Sequence, residues 1–230
     1  MCISNLCKYL SLILLFLFTV NISSAQIKFN RQHKFKDGIY LSAMDFRDDS
    51  PTIPPEDYTY EEKEKPTLYQ RELYYFKLSD SEKYLSEKNI KKIWGICIDG
   101  TPYINQHQII RKNNQDALVN IRKLNDHYTF TQIIMIGAIC TITAEGYIKN
   151  RDYLNTQYGT IPSQKEYKID RMMLDLDSGE LLDFNVKNLS ACIQSDEELF
   201  SEFQKDKKKK KKIDEYIVRY NQRNPIYLEN

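Results

Sequence analysis

The chain has 230 residues, a formal net charge of +1 and five cysteines; 41% of its residues are hydrophobic and 28% are charged. This apolar fraction is typical of a folded chain rather than of a disordered one. A net charge so close to zero argues against a dedicated nucleic-acid binder or membrane-surface binder, because such proteins carry a basic excess.

The first 25 residues have the pattern of a secretory signal peptide. The apolar run "LSLILLFLFTV" covers residues 10–20 and follows Lys8, and small residues stand at Ser23 and Ala25. This run is shorter than the roughly 20 apolar residues that a membrane helix needs. We therefore predict cleavage after Ala25 and export to the periplasm, the cell surface or the medium; the alternative is an uncleaved N-terminal anchor. The mature chain, residues 26–230, is expected to be a single globular domain without a transmembrane span.

Short elements are predicted in the first part of the mature chain. Residues 39–41 predict a short strand, and Ser42 with Asp45 fits a capping box that starts a one-turn helix. Residues 50–66 are rich in proline and charge and indicate an exposed loop. The aromatic stretch 72–78 predicts a strand.

The stretch "IKKIWGICIDGTPYIN" predicts a β-hairpin. Residues 90–98 alternate between two faces of an extended chain, which is the period of a strand. The pair Asp99-Gly100 is one of the strongest short hairpin signals. Residues 103–109 are expected to run back as the second strand.

The most apolar part of the mature chain lies at residues 128–148. Apolar side chains occupy both parities there, which predicts a central strand covered on both faces, and Gly137 is expected to bend or divide it. Another strand is predicted at residues 117–124. Further along, the turn residues 177–179 separate two short predicted strands.

The C-terminal part is predicted to be helical. Ser195 with Glu198 indicates a capping box. One face of a helix is formed by the apolar residues Ile213, Tyr216, Ile217 and Tyr220. The six lysines at 207–212 suit either a solvated helical segment or linker, or a site for an anionic polymer, and nearby acidic residues favour the first. One long helix and two successive helices both remain open.

These elements together predict an α+β fold. We expect a mainly antiparallel β-sheet, built as a meander, a sandwich or a partly open barrel, from about residue 36 to about residue 185. A C-terminal helical segment follows it, from about residue 187 to about residue 223.

Three cysteines remain after removal of the signal peptide, Cys97, Cys140 and Cys192. They are too few for a disulfide scaffold, and three buried thiols are favoured over one disulfide. A calcium site is disfavoured because Gly179 is the fifth residue from Asp175, whereas an EF-hand loop has its glycine at the sixth. The acidic cluster in question is Asp175, Asp177, Glu180 and Asp183. We assign no catalytic, cofactor-binding or metal residue and expect no cofactor.

Several motifs resemble an uncharacterised family of secreted Bacteroidota proteins, a domain of unknown function. They are, in chain order, "GIYLSAMDF", "IWGICIDGTPYIN", "MIGAICTITA", "LDLDSGELLDF" and "YIVRYNQRNPIYL". The resemblance covers residues 38–228 and rests on the order of these short motifs. It implies an exported bacterial protein, and it brings no activity, cofactor or site residue.

Two functions are compatible with the sequence. The first is a non-enzymatic binding or scaffolding domain, whose partner would be another envelope protein or a glycan; the 17 tyrosines suit such a surface. The alternative is a hydrolase with a dispersed active site, in which Asp126 and His127 act as acid and base and Cys97 or Cys140 is the nucleophile. A pair of Cys97 with His107 is disfavoured, because the hairpin places His107 well beyond Cys97. We favour the binding domain.

Overall fold

A computed structural model describes residues 27–29, 32–67, 69–112, 128–149, 155–156, 159–160 and 165–228. Within these residues the chain forms a curled antiparallel β-sheet of nine strands, shaped as a half-barrel, with helices at its C-terminal end. This confirms the predicted α+β fold class.

The strands are β1 (Ile27–Phe29), β2 (Gly38–Tyr40), β3 (Tyr58–Thr67), β4 (Gln70–Leu78), β5 (Gly95–Ile98), β6 (Thr101–Asn105), β7 (Thr129–Met135), β8 (Ile139–Lys149), β9 (Asn155–Thr156), β10 (Gly159–Thr160), β11 (Lys165–Asp175), β12 (Glu180–Asp183) and β13 (Ile226–Leu228). The α-helices are α1 (Ala43–Arg47), α2 (Glu87–Ile90), α3 (Gln106–Lys112), α4 (Val186–Cys192), α5 (Glu197–Lys205) and α6 (Ile213–Arg223). Short 3₁₀ helices occupy Pro55–Asp57 and Lys209–Lys211.

Strand β7 is the centre of the sheet. The strand order is β12-β11-β8-β7-β6-β5-β2, and β4 joins β7 while β3 joins β4. Thr131 lies opposite both Gln70 of β4 and Ile104 of β6, whereas Ile133 lies opposite Ile142 of β8. Because three strands share the two edges of β7, the sheet branches there, and the branch accompanies its curl.

The long pair β8 and β11 is covered on both faces. One set of its side chains packs into the interior of the half-barrel, and the alternate set packs against the helices. The first set includes Cys140, Ile142, Met172 and Leu174. The second set includes Ile139 and Met173, which contact the cluster of Leu189, Phe203 and Ile217. The predicted central strand with two buried faces is therefore confirmed, and Gly137 does divide it into β7 and β8.

The helical tail docks on the sheet. Ile213, Tyr216, Ile217 and Tyr220 are all buried in the cluster between the helices and β8 and β11. An isolated helix of this length is marginal in water, so this burial is what stabilises it. The tail holds two successive helices, α5 and α6, preceded by the short α4.

Two local predictions are confirmed by the backbone. Asp99 has φ 53° and Gly100 has φ 73°, so the β5–β6 turn has the left-handed pair of residues that a type I′ hairpin requires. Ser42 accepts a hydrogen bond from the Asp45 amide at 3.0 Å, and the Asp45 carboxylate accepts one from the Ser42 amide at 3.1 Å. This reciprocal pair is the predicted capping box.

The prediction of a loop at residues 50–66 is wrong, because most of this stretch forms the 3₁₀ helix Pro55–Asp57 and strand β3. Its charged residues belong to a strand that pairs with β4 and with no other described strand. Charges and a proline on such an edge hinder pairing with another chain, which is why the stretch reads as a loop in the sequence.

Three predicted boundaries also need correction. The strand expected from Ile90 starts only at Gly95, because residues 87–90 form α2. The return strand ends at Asn105, whose side chain accepts a hydrogen bond from the His107 amide at 2.9 Å and opens α3. The cap of α5 is Asp196 rather than Ser195, since an Asp196 carboxylate oxygen accepts the Leu199 amide at 3.1 Å.

A pairing between the two ends of the described chain lies outside the predicted sheet. β1 and β13 form an antiparallel pair in which Ile27 lies opposite Leu228 and Phe29 opposite Ile226. Phe29 is buried and its ring is 5.5 Å from that of Phe46 in α1. The sheet expected from about residue 36 therefore has an additional two-stranded ribbon beside it. The strand predicted at residues 117–124 lies outside the described residues.

Candidate functional site

The three cysteines do not form a nucleophilic centre. The Cys97 sulfur donates to the Phe35 carbonyl at 3.7 Å, and burial, followed by the charge of Asp37, raises the pKa of this thiol. Burial raises the pKa of Cys140 to about 12 and that of Cys192 to about 11. All three are free thiols. They stay protonated at neutral pH, and the thiolate is the reactive form.

The residues of the hydrolase hypothesis are not brought together among those that the structure describes. Asp126 and His127 lie outside the described residues. Cys97 belongs to the buried interior of the half-barrel, whereas His107 lines an open groove. The raised pKa of Cys97 and Cys140 weighs against either thiol as the nucleophile of that hypothesis.

A buried polar network around Asp49 was not expected from the sequence. Its carboxylate lies 2.8 Å from His33 Nε2 and accepts hydrogen bonds from the Tyr40 hydroxyl at 3.0 Å and from the Lys36 amide at 2.9 Å. Asp49 is only 3% exposed, so a substrate has little access to it. The network ties the segment before β2 to the end of α1, and we interpret it as structural.

The acidic cluster at the β11–β12 turn stabilises that turn. The two Asp175 oxygens accept from the Asp177 amide at 3.2 Å and from the Ser178 hydroxyl at 2.8 Å. Asp177 also lies 3.4 Å from Arg47. Within the part of the chain that the structure describes, no three His, Cys, Asp or Glu side chains are grouped closely enough to hold a metal ion.

The lysine run forms a corner between α5 and α6. It adopts a turn and the 3₁₀ helix Lys209–Lys211 rather than continuing a helix. Asp206 accepts the Lys208 amide at 2.7 Å, and its carboxylate lies 3.3 Å from the Lys212 ammonium. The corner is therefore an ordered linker between two helices, and the choice between a solvated linker and a site for an anionic polymer stays a prediction.

Strand β4 contains a β-bulge that exposes a tyrosine. Thr59 of β3 lies opposite Lys77 and Glu61 lies opposite Tyr74, so β4 has one more residue than β3 between these pairs. Tyr75 lies in this bulge, and its φ of 54° falls in the left-handed region. A bulky residue seldom adopts that conformation.

The bulge sets which β4 side chains reach the core. Leu73 and Phe76 are both fully buried although they are three positions apart. In a regular strand this spacing would send them to opposite faces. The extra residue restores Phe76 to the core face and turns Tyr75 outward, where it is 56% exposed.

Four tyrosines lie in ring contact around this bulge, and we call them the tyrosine row: Tyr84, Tyr75, Tyr74 and Tyr128. The ring centroids of Tyr75 and Tyr84 are 5.6 Å apart, those of Tyr74 and Tyr75 are 6.3 Å apart, and those of Tyr74 and Tyr128 are 4.7 Å apart. Tyr84 is 62% exposed. The outer half of the row, Tyr75 and Tyr84, therefore faces solvent.

Neighbouring backbone and side chains hold the row in place. The Leu85 amide donates to the Phe76 carbonyl at 2.6 Å, which anchors Tyr84 beside β4. The Tyr74 hydroxyl donates to Glu72 at 2.7 Å. Burial and this bond raise the pKa of Tyr74 to about 12, so its hydroxyl stays protonated. The spacing of Leu73 and Phe76 was the signal for the bulge, since it breaks the period of two within a predicted strand.

Comparison with protein-family models, with curated proteins and with solved structures gives no match. The family resemblance of the motifs therefore stays an expectation. In the described part of the chain, none of the helices combines the length and the apolar character needed to cross a membrane.

Proposed function

We propose that the chain is an exported, non-enzymatic binding domain that docks a partner protein on the tyrosine row. The observation that carries the proposal is Tyr75, a bulky residue in the left-handed region whose ring is directed into solvent beside that of Tyr84. The export itself rests on the signal-peptide pattern of residues 1–25.

Strain at an exposed residue favours a role outside folding. A left-handed conformation costs a non-glycine residue roughly 1–2 kcal/mol, against a total domain stability of about 5–15 kcal/mol. Glycine would take the same backbone conformation without this strain. Tyr75 is 56% exposed, so burial of its side chain stabilises the fold too little to offset this strain. The tyrosine at position 75 is therefore best explained by contact with another molecule.

The character of the row favours a protein as its partner. Tyrosine is enriched at the centres of protein interfaces, where it supplies a large rigid contact with a polar tip. The rings of Tyr75 and Tyr84 are inclined by 57°, so they do not form one flat platform for a sugar ring. Charged residues of both signs, Asp80, Glu82 and Lys83, are exposed in the adjoining turn and provide a polar rim.

Position-specific crosslinking tests this proposal. A photo-crosslinking amino acid replaces Tyr84 in the exported protein, and in a control it replaces Val218, which is 40% exposed on α6. We expect a protein adduct at position 84 that is absent at position 218 and that is lost when Tyr75→Ala is added. The same adducts at both positions, or adducts unaffected by Tyr75→Ala, would overturn it. Specific retention on a glycan array that depends on Tyr75 would instead assign the row to a glycan.

A further inference from the structure

A basic groove lies beside helix α2, and we call it the lysine groove. It has a volume of about 760 Å³. Its walls come from three segments: the residue after β2, helix α2 with the turn that follows it, and the beginning of α3. Its lining includes Leu41, Glu87, Lys88, Lys91, Lys92 and Gln108.

The backbone under the lysine groove is fixed by two amide side chains. The Asn105 amide nitrogen donates to the Ile90 carbonyl at 3.2 Å, and Asn105 is fully buried. The Gln108 amide nitrogen donates to the Lys91 carbonyl at 2.9 Å and to the Ile93 carbonyl at 3.3 Å. The turn that bears the lysines is therefore bound to α3, so a ligand would not have to order it.

The charge of the groove is positive. Among the residues that the structure describes, it contains three ammonium groups and a single carboxylate, that of Glu87, which forms an ion pair with Lys91. Lys88 and Lys92 are exposed and form no ion pair with any residue that the structure describes. Two ammonium groups, four residues apart in sequence, thus remain available to an anion.

We infer that the lysine groove binds a small organic phosphate. Lysine is a common partner of phosphate, to which it presents a compact point charge, and two such charges attract a phosphate dianion more strongly than a singly charged carboxylate. Leu41 is 43% exposed at the rim, beside these charges. It offers an apolar contact to the organic part of the ligand. This inference does not depend on the proposed role of the tyrosine row.

Titration of the mature protein at low ionic strength, followed through backbone amide shifts, tests the inference. The probes are phenyl phosphate, inorganic phosphate and benzoate. We expect phenyl phosphate to bind most tightly and to shift the amides of residues 91–93 and 108. Absence of saturable shifts there, or benzoate binding as tightly as phenyl phosphate, would overturn the assignment.

Matched variants locate the charges. Lys88→Gln and Lys92→Gln should each weaken phenyl phosphate binding roughly fivefold, which corresponds to the Coulomb energy of about 1 kcal/mol between two charges about 4 Å apart in water. Lys208→Gln with Lys210→Gln removes charge from the corner between α5 and α6 and should leave the affinity unchanged. Leu41→Ser should abolish the preference for phenyl phosphate over inorganic phosphate. An equal loss in the corner variant, or an unchanged preference in Leu41→Ser, would contradict the inference.

Discussion

Asn221 of α6 forms both of its hydrogen bonds with the backbone of Ile139, the first residue of β8. Its carboxamide oxygen accepts the Ile139 amide at 2.8 Å and its nitrogen donates to the Ile139 carbonyl at 2.8 Å. The carboxamide thus makes the two backbone hydrogen bonds that a residue of a neighbouring strand would make with Ile139. It also packs closely against Gly137. A Cβ atom added at this glycine would lie 2.4 Å from the Asn221 side chain, so a larger residue would not fit there.

Replacement of Asn221 is therefore expected to loosen the helical tail from the sheet. Asn221→Ala removes two hydrogen bonds, each with a net contribution of about 0.5–1.5 kcal/mol, so we expect a loss of roughly 1–3 kcal/mol in the free energy of unfolding. Urea denaturation followed by circular dichroism measures it. Gln222→Ala, at the adjacent exposed position, is the control and should change little. Equal stability of the two variants would contradict this role of Asn221.

Locally encoded features could be predicted from the sequence. The β5–β6 turn needed only Asp99-Gly100, because two left-handed residues in a row leave few other choices. The apolar stripe of α6 was likewise visible, because its spacing has the period of a helix. In both cases the determining residues lie within a few positions of one another.

Features that depend on distant contacts could not be predicted. β1 and β13 have three residues each and pair across almost the whole chain, so neither carries a pattern of its own. The spacing of Leu73 and Phe76 indicates a bulge, but its place at Tyr75 depends on the register of β3 against β4, which no local preference of tyrosine indicates. The lysine groove joins α2 to the beginning of α3, and the sequence predicted strands at Lys91, Lys92 and His107.

Deletion of the chain from Ile213 onward should unfold or aggregate the protein. Burial of each apolar side chain of α6 contributes roughly 1.5–3 kcal/mol, and four of them are buried, so the loss is comparable with the whole stability of about 5–15 kcal/mol. The deletion also removes β13, the partner of β1. Thermal melting and size-exclusion chromatography provide the measurement.

Neutralisation of the corner between α5 and α6 is the control for that deletion. Lys208→Gln, Lys210→Gln and Lys211→Gln together should leave the melting temperature nearly unchanged, because these side chains are exposed. A truncated protein that stays soluble with an unaltered melt would show that the tail is dispensable for the fold.

The ion pair of Asp196 with Arg223 predicts a loss of stability in acid. Arg223 donates to the two Asp196 oxygens at 2.5 and 2.9 Å, and this guanidinium holds the pKa of Asp196 below its ordinary value. The contribution to stability is present above the unfolded pKa of about 3.9 and is lost as the pH falls through the lower, folded pKa.

Asp196→Asn isolates this contribution. Asparagine preserves the helix cap on the Leu199 amide but does not titrate. The urea midpoint of the native protein should exceed that of the variant at pH 7, and the difference should shrink as the pH falls below the unfolded pKa of about 3.9. A difference that stays constant across this range would contradict the assignment.

Export predicts a defined N-terminus. Sequencing of the mature protein should begin at Gln26 or at its cyclised pyroglutamyl form, because cleavage is expected after Ala25. Ala25→Arg removes the small residue that signal peptidase recognises and should leave the precursor uncleaved. An intact Met1 in the native protein would favour the uncleaved anchor instead.

Tyr75→Gly separates the folding role of position 75 from its binding role. Glycine relieves about 1–2 kcal/mol of left-handed strain and loses about 0.5–1 kcal/mol through its greater freedom in the unfolded chain. The variant should therefore unfold at the same temperature as the native protein or a higher one, while the crosslink from position 84 disappears. Lys77→Gly, in the same strand without the left-handed conformation, is the control and should be destabilised. A Tyr75→Gly protein that melts several degrees lower would mean that the ring serves the fold, and the partner would then have to be sought on another surface.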